Sequence, residues 1–452
     1  MAISSTGSGT TVTASEPGQN YRPALAVLTT LFFVWGSLTS LNDVLIPFAQ
    51  NVFNLNLAES FLIQTAFFFA YFIFSIPSAK IIDWIGYKRA IIVGLSTMVA
   101  ACLLVYPAAK IPSFPFFLTA LLILAAGITV LQVAANPYVA VLGTPKTASS
   151  RLVLTQAFNS LGTAVFPWVG ARLILKESVS AAAQSASQDA VVRLYVYFFA
   201  IVLVLLAILF AVFKLPRMEA AEHHIGQKVE DSVWKHPNLV FGAIGIFVYV
   251  GAEVAIGSSI SNYLALDNIG HFASNVTEPA ARYLAAKAVA ARYISIYWLG
   301  AMVGRFIGSA VLQKLKTSRV LAFCAIMTAL LVTVSVATDG PVAMWSILSV
   351  GLFNSIMFPC IFTSGIAELG QLTGDGSGIL NTAIVGGAVI PWIVGKVADA
   401  VNHANYPTMT HGELSWGQGI HFALLIATFC YLYILFYALS GSKPNSERYA
   451  KA

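Results

Sequence analysis

The sequence predicts an all-α integral membrane protein whose twelve transmembrane helices form two pseudo-symmetric bundles of six. Apolar residues make up 58% of the 452 residues and charged residues only 10%, with a mean hydropathy of +0.79. This composition is typical of a chain whose solvent is lipid. Lipid supplies no hydrogen bonds to an open backbone, and each apolar segment far exceeds the roughly 10 residues of a barrel strand. Helices are therefore the expected spanning elements.

The apolar segments follow one another in order, and each is long enough for a spanning helix of about 20 residues. They cover residues 24–50, 60–82, 89–109, 115–142, 151–175, 190–214, 237–266, 284–313, 319–338, 341–367, 377–400 and 417–440.

The longest polar stretch inside the chain, residues 214–238, divides these segments six and six. It marks a boundary between two bundles. We predict a disordered tail at 1–22, a bundle at 23–214, a linker at 215–236, a second bundle at 237–441 and a tail at 442–452. The first 20 residues lack the basic region and short apolar core of a cleavable signal peptide.

Twelve spans put both termini on one side of the membrane, and most of the 25 Lys and Arg residues fall on that side. They are Arg22, Lys80, Lys88, Arg89, Lys146, Arg151, Lys214, Arg217, Lys228, Lys235, Arg305, Lys314, Lys316, Arg319, Lys443, Arg448 and Lys451. The positive-inside rule then predicts cytoplasmic termini. The net charge of +6 reflects this topology and not nucleic-acid binding.

The two halves contain a repeated sequence. Residues 162–170 read GTAVFPWVG and residues 386–394 read GGAVIPWIV, with a constant offset of 224 residues. Because corresponding helices run in the same direction, the repeat is parallel and its axis lies along the membrane normal. Such a repeat places a substrate site between the halves, which expose it by alternating access.

Polar residues inside apolar helices are candidates for the transport path. Asp43 is the only charged residue between Arg22 and Glu59, and a carboxylate at mid-helix costs about 2.5–3.5 kcal/mol, so we expect it to face a water-filled cavity or to titrate, and to have a function. Glu253 occupies a similar depth in the seventh segment. It is either a second ion site or a structural hydrogen-bonding group.

Uncharged amides accompany these acids. Amides both donate and accept hydrogen bonds, as vicinal hydroxyls require, and the near absence of fixed cations in the spans argues against an anionic substrate. A neutral sugar is the expected substrate. The residues expected to bind it are Trp35, Asn42, Gln64, Gln132, Asn136, Gln156, Asn159 and Asn354.

No metal site or enzyme active site is expected. The four cysteines have no metal-ligand spacing, no HExxH or GxSxG motif is present, and none of the seven histidines lies at mid-span.

Several strings carry a family resemblance. Trp35 precedes the Asn42-Asp43 pair, with a proline four residues after the acid, and LIQTAFFFAYFI, AANPYVAVLG, RLVLTQAFNSLG, GLFNSIMFPCIFT and NTAIVGGAVIPW follow in helices two, four, five, ten and eleven. Together they resemble the fucose, galactose and glucose proton symporters of the major facilitator superfamily, with wording closer to the glucose/galactose branch.

The resemblance implies the major facilitator fold, a bacterial inner-membrane location and transport of a hexose by a monomer with no cofactor beyond the coupling ion. It also implies that Asp43 accepts the proton and that Gln156 and Asn159 bind sugar. Gln132 stands where the fucose permeases have a glutamate, and an amide cannot titrate. Sodium coupling, a drug exporter of the same superfamily and a non-transporting sugar sensor remain as alternatives.

The DWIGYKR segment, residues 83–89, resembles the superfamily's loop between helices two and three, although Ala79 replaces its first glycine. The resemblance implies that Asp83, Gly86 and Arg89 act in conformational gating.

Overall fold

The computed structural model describes residues 21–41, 45, 48–49, 52–53, 55, 62–111, 113–174, 188–216, 231–405 and 419–446. Within these residues the chain forms twelve spans, α1 to α12. They are α1 Arg22–Ser40, α2 and α3 within Leu62–Lys110, α4 Phe114–Val141, α5 Ala148–Ile174, α6 Gln188–Val212, α7 Pro237–Leu264, α8 Ala281–Val311, α9 Thr317–Ala337, α10 Gly340–Gly365, α11 Gly370–Ala404 and α12 Gly419–Gly441.

Ten of the described helices are long and apolar enough to cross a membrane. One of them is two spans, because Gly86 takes φ 78°, a conformation that favours glycine, and turns α2 into α3. The twelfth span is α5, whose 27 residues would reach about 40 Å at 1.5 Å per residue. It is less apolar because Arg151, Gln156 and Asn159 interrupt it. The prediction of twelve helices is confirmed.

The two bundles share one packing plan. In the first, α5 packs along α1, α4 along α2 and α6 along α3; in the second, α11 packs along α7, α10 along α8 and α12 along α9. Both bundles therefore have the same three pairings. The predicted pseudo-symmetry is confirmed at the level of helix neighbours.

The repeated sequence motif has a structural cause in its first glycine. A side chain at Gly162 would collide with the carbonyl oxygen of Phe33 in α1, and a side chain at Gly386 would collide with that of Phe247 in α7. Each glycine lets two backbones approach closely, as small residues do at membrane helix interfaces. The α1–α5 and α7–α11 contacts are thus equivalent.

The same offset relates two exposed cation–aromatic pairs further along these helices. The guanidinium carbon of Arg172 lies 3.7 Å from the ring centroid of Trp168, and Lys396 Nζ lies 6.0 Å from that of Trp392. Both tryptophans are more than half exposed.

We call the membrane face at which α1 begins and α12 ends the terminal face. The predicted tails and linker fall largely outside the described residues, which omit 1–20, 217–230 and 447–452. Where the chain leaves the first bundle, Tyr138 Oη donates a hydrogen bond of 2.6 Å to the carbonyl of Pro216. Where it enters the second, Asn445 donates to the carbonyl of Lys235 at 3.0 Å.

Candidate substrate and coupling site

The two bundles meet along two seams, α5 against α8 with α10, and α2 with α4 against α11. Hydroxyl groups bridge the first seam near the terminal face. Ser149 Oγ lies 2.7 Å from Thr363 Oγ1 in α10, and Ser150 Oγ donates to the carbonyl of Ser309 in α8 at 2.7 Å. Among the described residues these bridges lie toward the terminal ends of their helices, so the structure is closed on that face.

The second seam is closed partly by charge. Lys80 Nζ lies 2.8 Å from Asp375 Oδ1 at the start of α11 and 3.4 Å from Asp83 Oδ2 on its own side. Asp83 also faces the first turn of the helix Thr373–Thr382, since a Cβ on Gly374 would lie 3.3 Å from Asp83 Oδ1. A carboxylate there is favoured by the helix dipole.

Of the three gating residues expected from the sequence, only some lie at this seam. Asp83 faces α11 and Gly86 forms the turn, while Arg89 is exposed. Sequence reasoning missed Lys80 and Asp375, because nothing in one dimension pairs residues 295 positions apart. The gating role of this loop stays a prediction.

The amides of α4 differ from each other in their contacts. Gln132 Nε2 donates a short hydrogen bond of 2.5 Å to the hydroxyl of Tyr71 in α2. Asn136, one turn nearer the terminal face, is fully buried, and both polar atoms of its amide lack a hydrogen-bond partner among the described residues. It lies one turn from Val133, whose carbonyl accepts a hydrogen bond from Ser377 of α11 at 2.8 Å.

An unpaired amide is costly in a protein interior, about 1–3 kcal/mol. Asn136 lies one turn from Val133, whose carbonyl joins the two bundles through Ser377. A buried orphan of this kind therefore favours a ligand contact over a structural role.

The residues of α5 are divided between structure and site. Asn159 Nδ2 donates to the carbonyl of Phe32 in α1 at 3.0 Å, and a side chain on Gly36 would collide with Asn159. The amide of Asn159 thus holds α5 on α1. Gln156 is 7% exposed, and its carbonyl accepts a hydrogen bond from Ser160 Oγ at 3.1 Å.

Three further predicted substrate residues have different surroundings. Trp35 is 4% exposed and its ring centroid lies 4.6 Å from that of Phe32, so it packs in the core of the first bundle. Asn354 is fully buried in the second bundle and donates to Tyr297 Oη at 2.7 Å. Gln64 is partly buried in α2. In this conformation Trp35 and Asn354 are not open to solvent, and their role in binding stays a prediction.

Asn42 and Asp43 lie outside the described residues. Their predicted roles in sugar binding and ion coupling stay predictions.

Arg305 is a largely enclosed cation, although its position near a helix end predicted that it belongs with the cytoplasmic basic residues. It lies inside α8, where its Nη2 is 3.8 Å from Glu253 Oε1, its Nε donates to the carbonyl of Ser355 at 3.0 Å, and its Nη1 donates to Ser160 Oγ. Arg305 is therefore a fixed cation within a span and an exception to the near absence of such cations expected from the sequence. Glu253, the proposed second ion site, has a charged partner on a neighbouring helix.

Comparisons with known proteins agree with this architecture. The family described as Major Facilitator Superfamily matches residues 27–391. A protein of Brucella abortus named "Glucose/galactose transporter" is 48% identical over 431 residues, which are 95% of this chain and 97% of that protein. The "L-fucose-proton symporter" of Escherichia coli is 32% identical over 86% of this chain and 90% of its own length.

Among solved structures, one described as a Major Facilitator Superfamily transporter, FucP, in the outward conformation superposes with a TM-score of 0.78. It is 29% identical, and the match covers 94% of this chain and all of the other.

Proposed function

The chain belongs to the Major Facilitator Superfamily, to its fucose, galactose and glucose symporters, and we propose that it carries a neutral hexose together with a proton by alternating access. The observation that carries the proposal is its near full-length similarity to transporters of glucose, galactose and L-fucose. The buried unpaired amide of Asn136 between the bundles adds a group suited to a sugar hydroxyl. The protein is thus proposed to be a transporter and not an enzyme.

The binding site is proposed to lie where α4 and α5 face the second bundle. Gln132 and Asn136 stand one turn apart on α4. Gln156 lies on α5 one turn before Ser160, whose hydroxyl contacts Arg305 of the second bundle. Such a set of amides offers both donors and acceptors without a fixed charge of its own. Glucose and galactose fit this chemistry and are the first sugars to test.

Proton coupling is assigned to Asp43. An ionised carboxylate resists enclosure between the closed bundles, whereas the protonated acid tolerates it and can donate to a sugar hydroxyl. The carrier would then switch between its outward-open and inward-open conformations only when both proton and sugar are bound, or when both are absent. Sodium is the second candidate ion, because Gln132 cannot titrate and is already bonded to Tyr71.

The membrane arrangement follows from the same proposal. The protein would lie in the bacterial inner membrane as a monomer, with both termini in the cytoplasm and no cofactor beyond the coupling ion. The terminal face, closed in this structure, is then the cytoplasmic face. The conformation would be the one that accepts sugar from outside.

The test is transport in proteoliposomes. We expect counterflow of labelled glucose or galactose, and sugar-induced alkalinisation outside the vesicles in sodium-free buffer. Asp43→Asn is expected to keep counterflow and to accumulate far less sugar against its gradient than the parent protein. Asp399→Asn, which removes an exposed carboxylate at the far end of α11, serves as the matched control and is expected to keep both.

Two results would contradict the proposal. Failure of the parent protein to exchange any hexose would remove sugar transport. Alkalinisation that requires sodium, or normal accumulation by Asp43→Asn, would contradict proton coupling through Asp43 but not the proposal that the protein transports a sugar.

A further inference from the structure

Arg305 joins three helices and both bundles at one guanidinium group. The group is 13% exposed, and it contacts Glu253 of α7, the carbonyl of Ser355 of α10, and Ser160 of α5. Only the contact with Ser160 crosses between the bundles. Any motion that separates α5 from α8 must break it.

The ion pair with Glu253 is incomplete in this closed conformation. Arg305 Nη2 lies 3.8 Å from Glu253 Oε1, and that oxygen has no hydrogen-bond partner among the described residues. The other two directions of the guanidinium are used by Ser355 and Ser160. A buried ion pair stabilises its charges only when the geometry is good and the remaining lone pairs are satisfied.

The surroundings of Glu253 offer no second cation among the described residues. The titratable groups that face it are the phenols of Tyr249 on its own helix, Tyr297 on α8 and Tyr431 on α12, besides Arg305. The helix α10 contributes the neutral amide of Asn354, which donates to Tyr297 Oη. The charge state of Glu253 therefore depends on how fully Arg305 pairs with it.

Resting on the proton symport proposed above, we propose that Glu253 carries a second coupling proton while the terminal face is closed and releases it as that face opens. Arg305 is the positioning residue that makes release of the Glu253 proton depend on opening of the terminal face. When α5 leaves α8, the N–H donated to Ser160 becomes free and turns to Glu253. The carboxyl O–H bond then breaks, the carboxylate pairs with Arg305, and the proton passes to water entering from the terminal face.

This order gives the direction that symport requires. The proton is bound in the conformation closed to the terminal face and is lost in the conformation open to it. By linkage, a proton on Glu253 favours the closed conformation, and opening lowers the affinity for that proton by the same factor. A carboxylate in the second bundle would thus replace the one that Gln132 lacks in the first.

The experiment compares two serines that bridge the same seam. Ser160→Ala removes the partner of Arg305, whereas Ser150→Ala removes a bridge to the carbonyl of Ser309 that does not involve Arg305. We would measure the pH at half-maximal glucose- or galactose-driven uptake in proteoliposomes. Ser160→Ala frees Arg305 while the face is closed, so the midpoint is expected to fall by about one unit, since a tenfold change in proton affinity equals one pH unit. Ser150→Ala is expected to leave the midpoint in place.

A second variant keeps the proposal testable if Ser160→Ala does not fold. Glu253→Gln is expected to exchange sugar but to carry one proton fewer per sugar, measured from the reversal potential of flux. Equal midpoints for Ser160→Ala and Ser150→Ala, or an unchanged proton ratio in Glu253→Gln, would overturn the inference. Absence of sugar flux in the parent protein would overturn the proposed function instead, so the two failures are distinguishable.

Discussion

Replacing Gly386 by alanine tests whether the repeated motif exists to bring two backbones together. The three atoms nearest to a Cβ at this position all belong to the backbone of Phe247, and even the most distant of them, its Cα, lies 2.9 Å away. Real Cβ atoms essentially never come within 3.0 Å of such neighbours. Because a backbone cannot rotate aside as a side chain can, α7 and α11 must separate.

The structure sets the size of the effect. Overpacking of a close-packed core costs about 1–3 kcal/mol. Gly395 in the same helix has nothing within 4 Å of its Cβ position, so alanine there adds no clash and gains up to about 1 kcal/mol from helix propensity. The two variants should therefore differ by about 1–4 kcal/mol. At about 2–4 °C per kcal/mol for a domain of roughly 200 residues, the size of one bundle, the difference in Tm is about 2–16 °C.

The assay is thermal unfolding of the purified protein in detergent, followed by size-exclusion chromatography. Gly386→Ala is expected to melt well below the parent, and Gly395→Ala at or slightly above it. Gly162→Ala, which meets the carbonyl of Phe33 in the first bundle, should behave like Gly386→Ala. If Gly386→Ala and Gly395→Ala melt together, the close approach of α7 and α11 is not what the glycine provides.

Two further substitutions separate ligand contacts from structural ones. Asn136→Leu removes a buried amide that has no hydrogen-bond partner among the described residues. The Tm without sugar should therefore stay the same or rise, while the Kd for sugar, measured by calorimetry, should increase about tenfold or more. A large loss of Tm without sugar would instead show that Asn136 has a structural role. Lys80→Ala breaks the ion pair with Asp375. Because the Lys80 side chain is 52% exposed and that of Asp375 29%, the pair is weak, and its loss should shift the conformational equilibrium toward an open terminal face by less than about 1 kcal/mol, or about fivefold. Spin-label distances across that face would detect the shift, which should shrink at high salt, with Lys88→Ala as the control because Lys88 bonds to Ala211 within its own bundle.

Most of the fold could be predicted because the composition, the apolar segments and the repeated motif all indicate the same two-bundle helical membrane protein. The length of the apolar segments predicted the spans, and the motif repeated at 162–170 and 386–394 predicted two parallel, pseudo-symmetric bundles. The helix contacts made at Gly162 and Gly386 were seen only in the structure. The weakly apolar α5 was also predicted, because residues 151–175 still form an apolar segment long enough to span the membrane.

The side-chain partners could not be predicted in the same way. Arg305 was counted with the basic loops, since a charge near a helix end normally signals topology. Its partners Glu253 and Ser160 lie 52 and 145 positions earlier in the chain. The hydrogen bond from the amide of Asn159 to the carbonyl of Phe32 likewise depends on how closely α1 and α5 pack.

Ionic and amide partners are therefore properties of the packed bundles. A single sequence shows that a polar residue is buried in the membrane, but not whether it meets a ligand, another helix or a counter-charge. Asn136 and Asn159, 23 positions apart, looked alike in one dimension and have opposite surroundings in three.

The low apolarity of α5 has a consequence for how the protein is made. Its segment falls outside the ten helices that are apolar enough to span a membrane alone, so lipid by itself is a poor destination for it as it leaves the translocon. By then α1 has already been synthesised, and Gly162 fits closely against its backbone. We therefore expect membrane insertion of the fifth helix to depend on its packing against the first, and a substitution at Gly162 to lower the yield of correctly inserted chains.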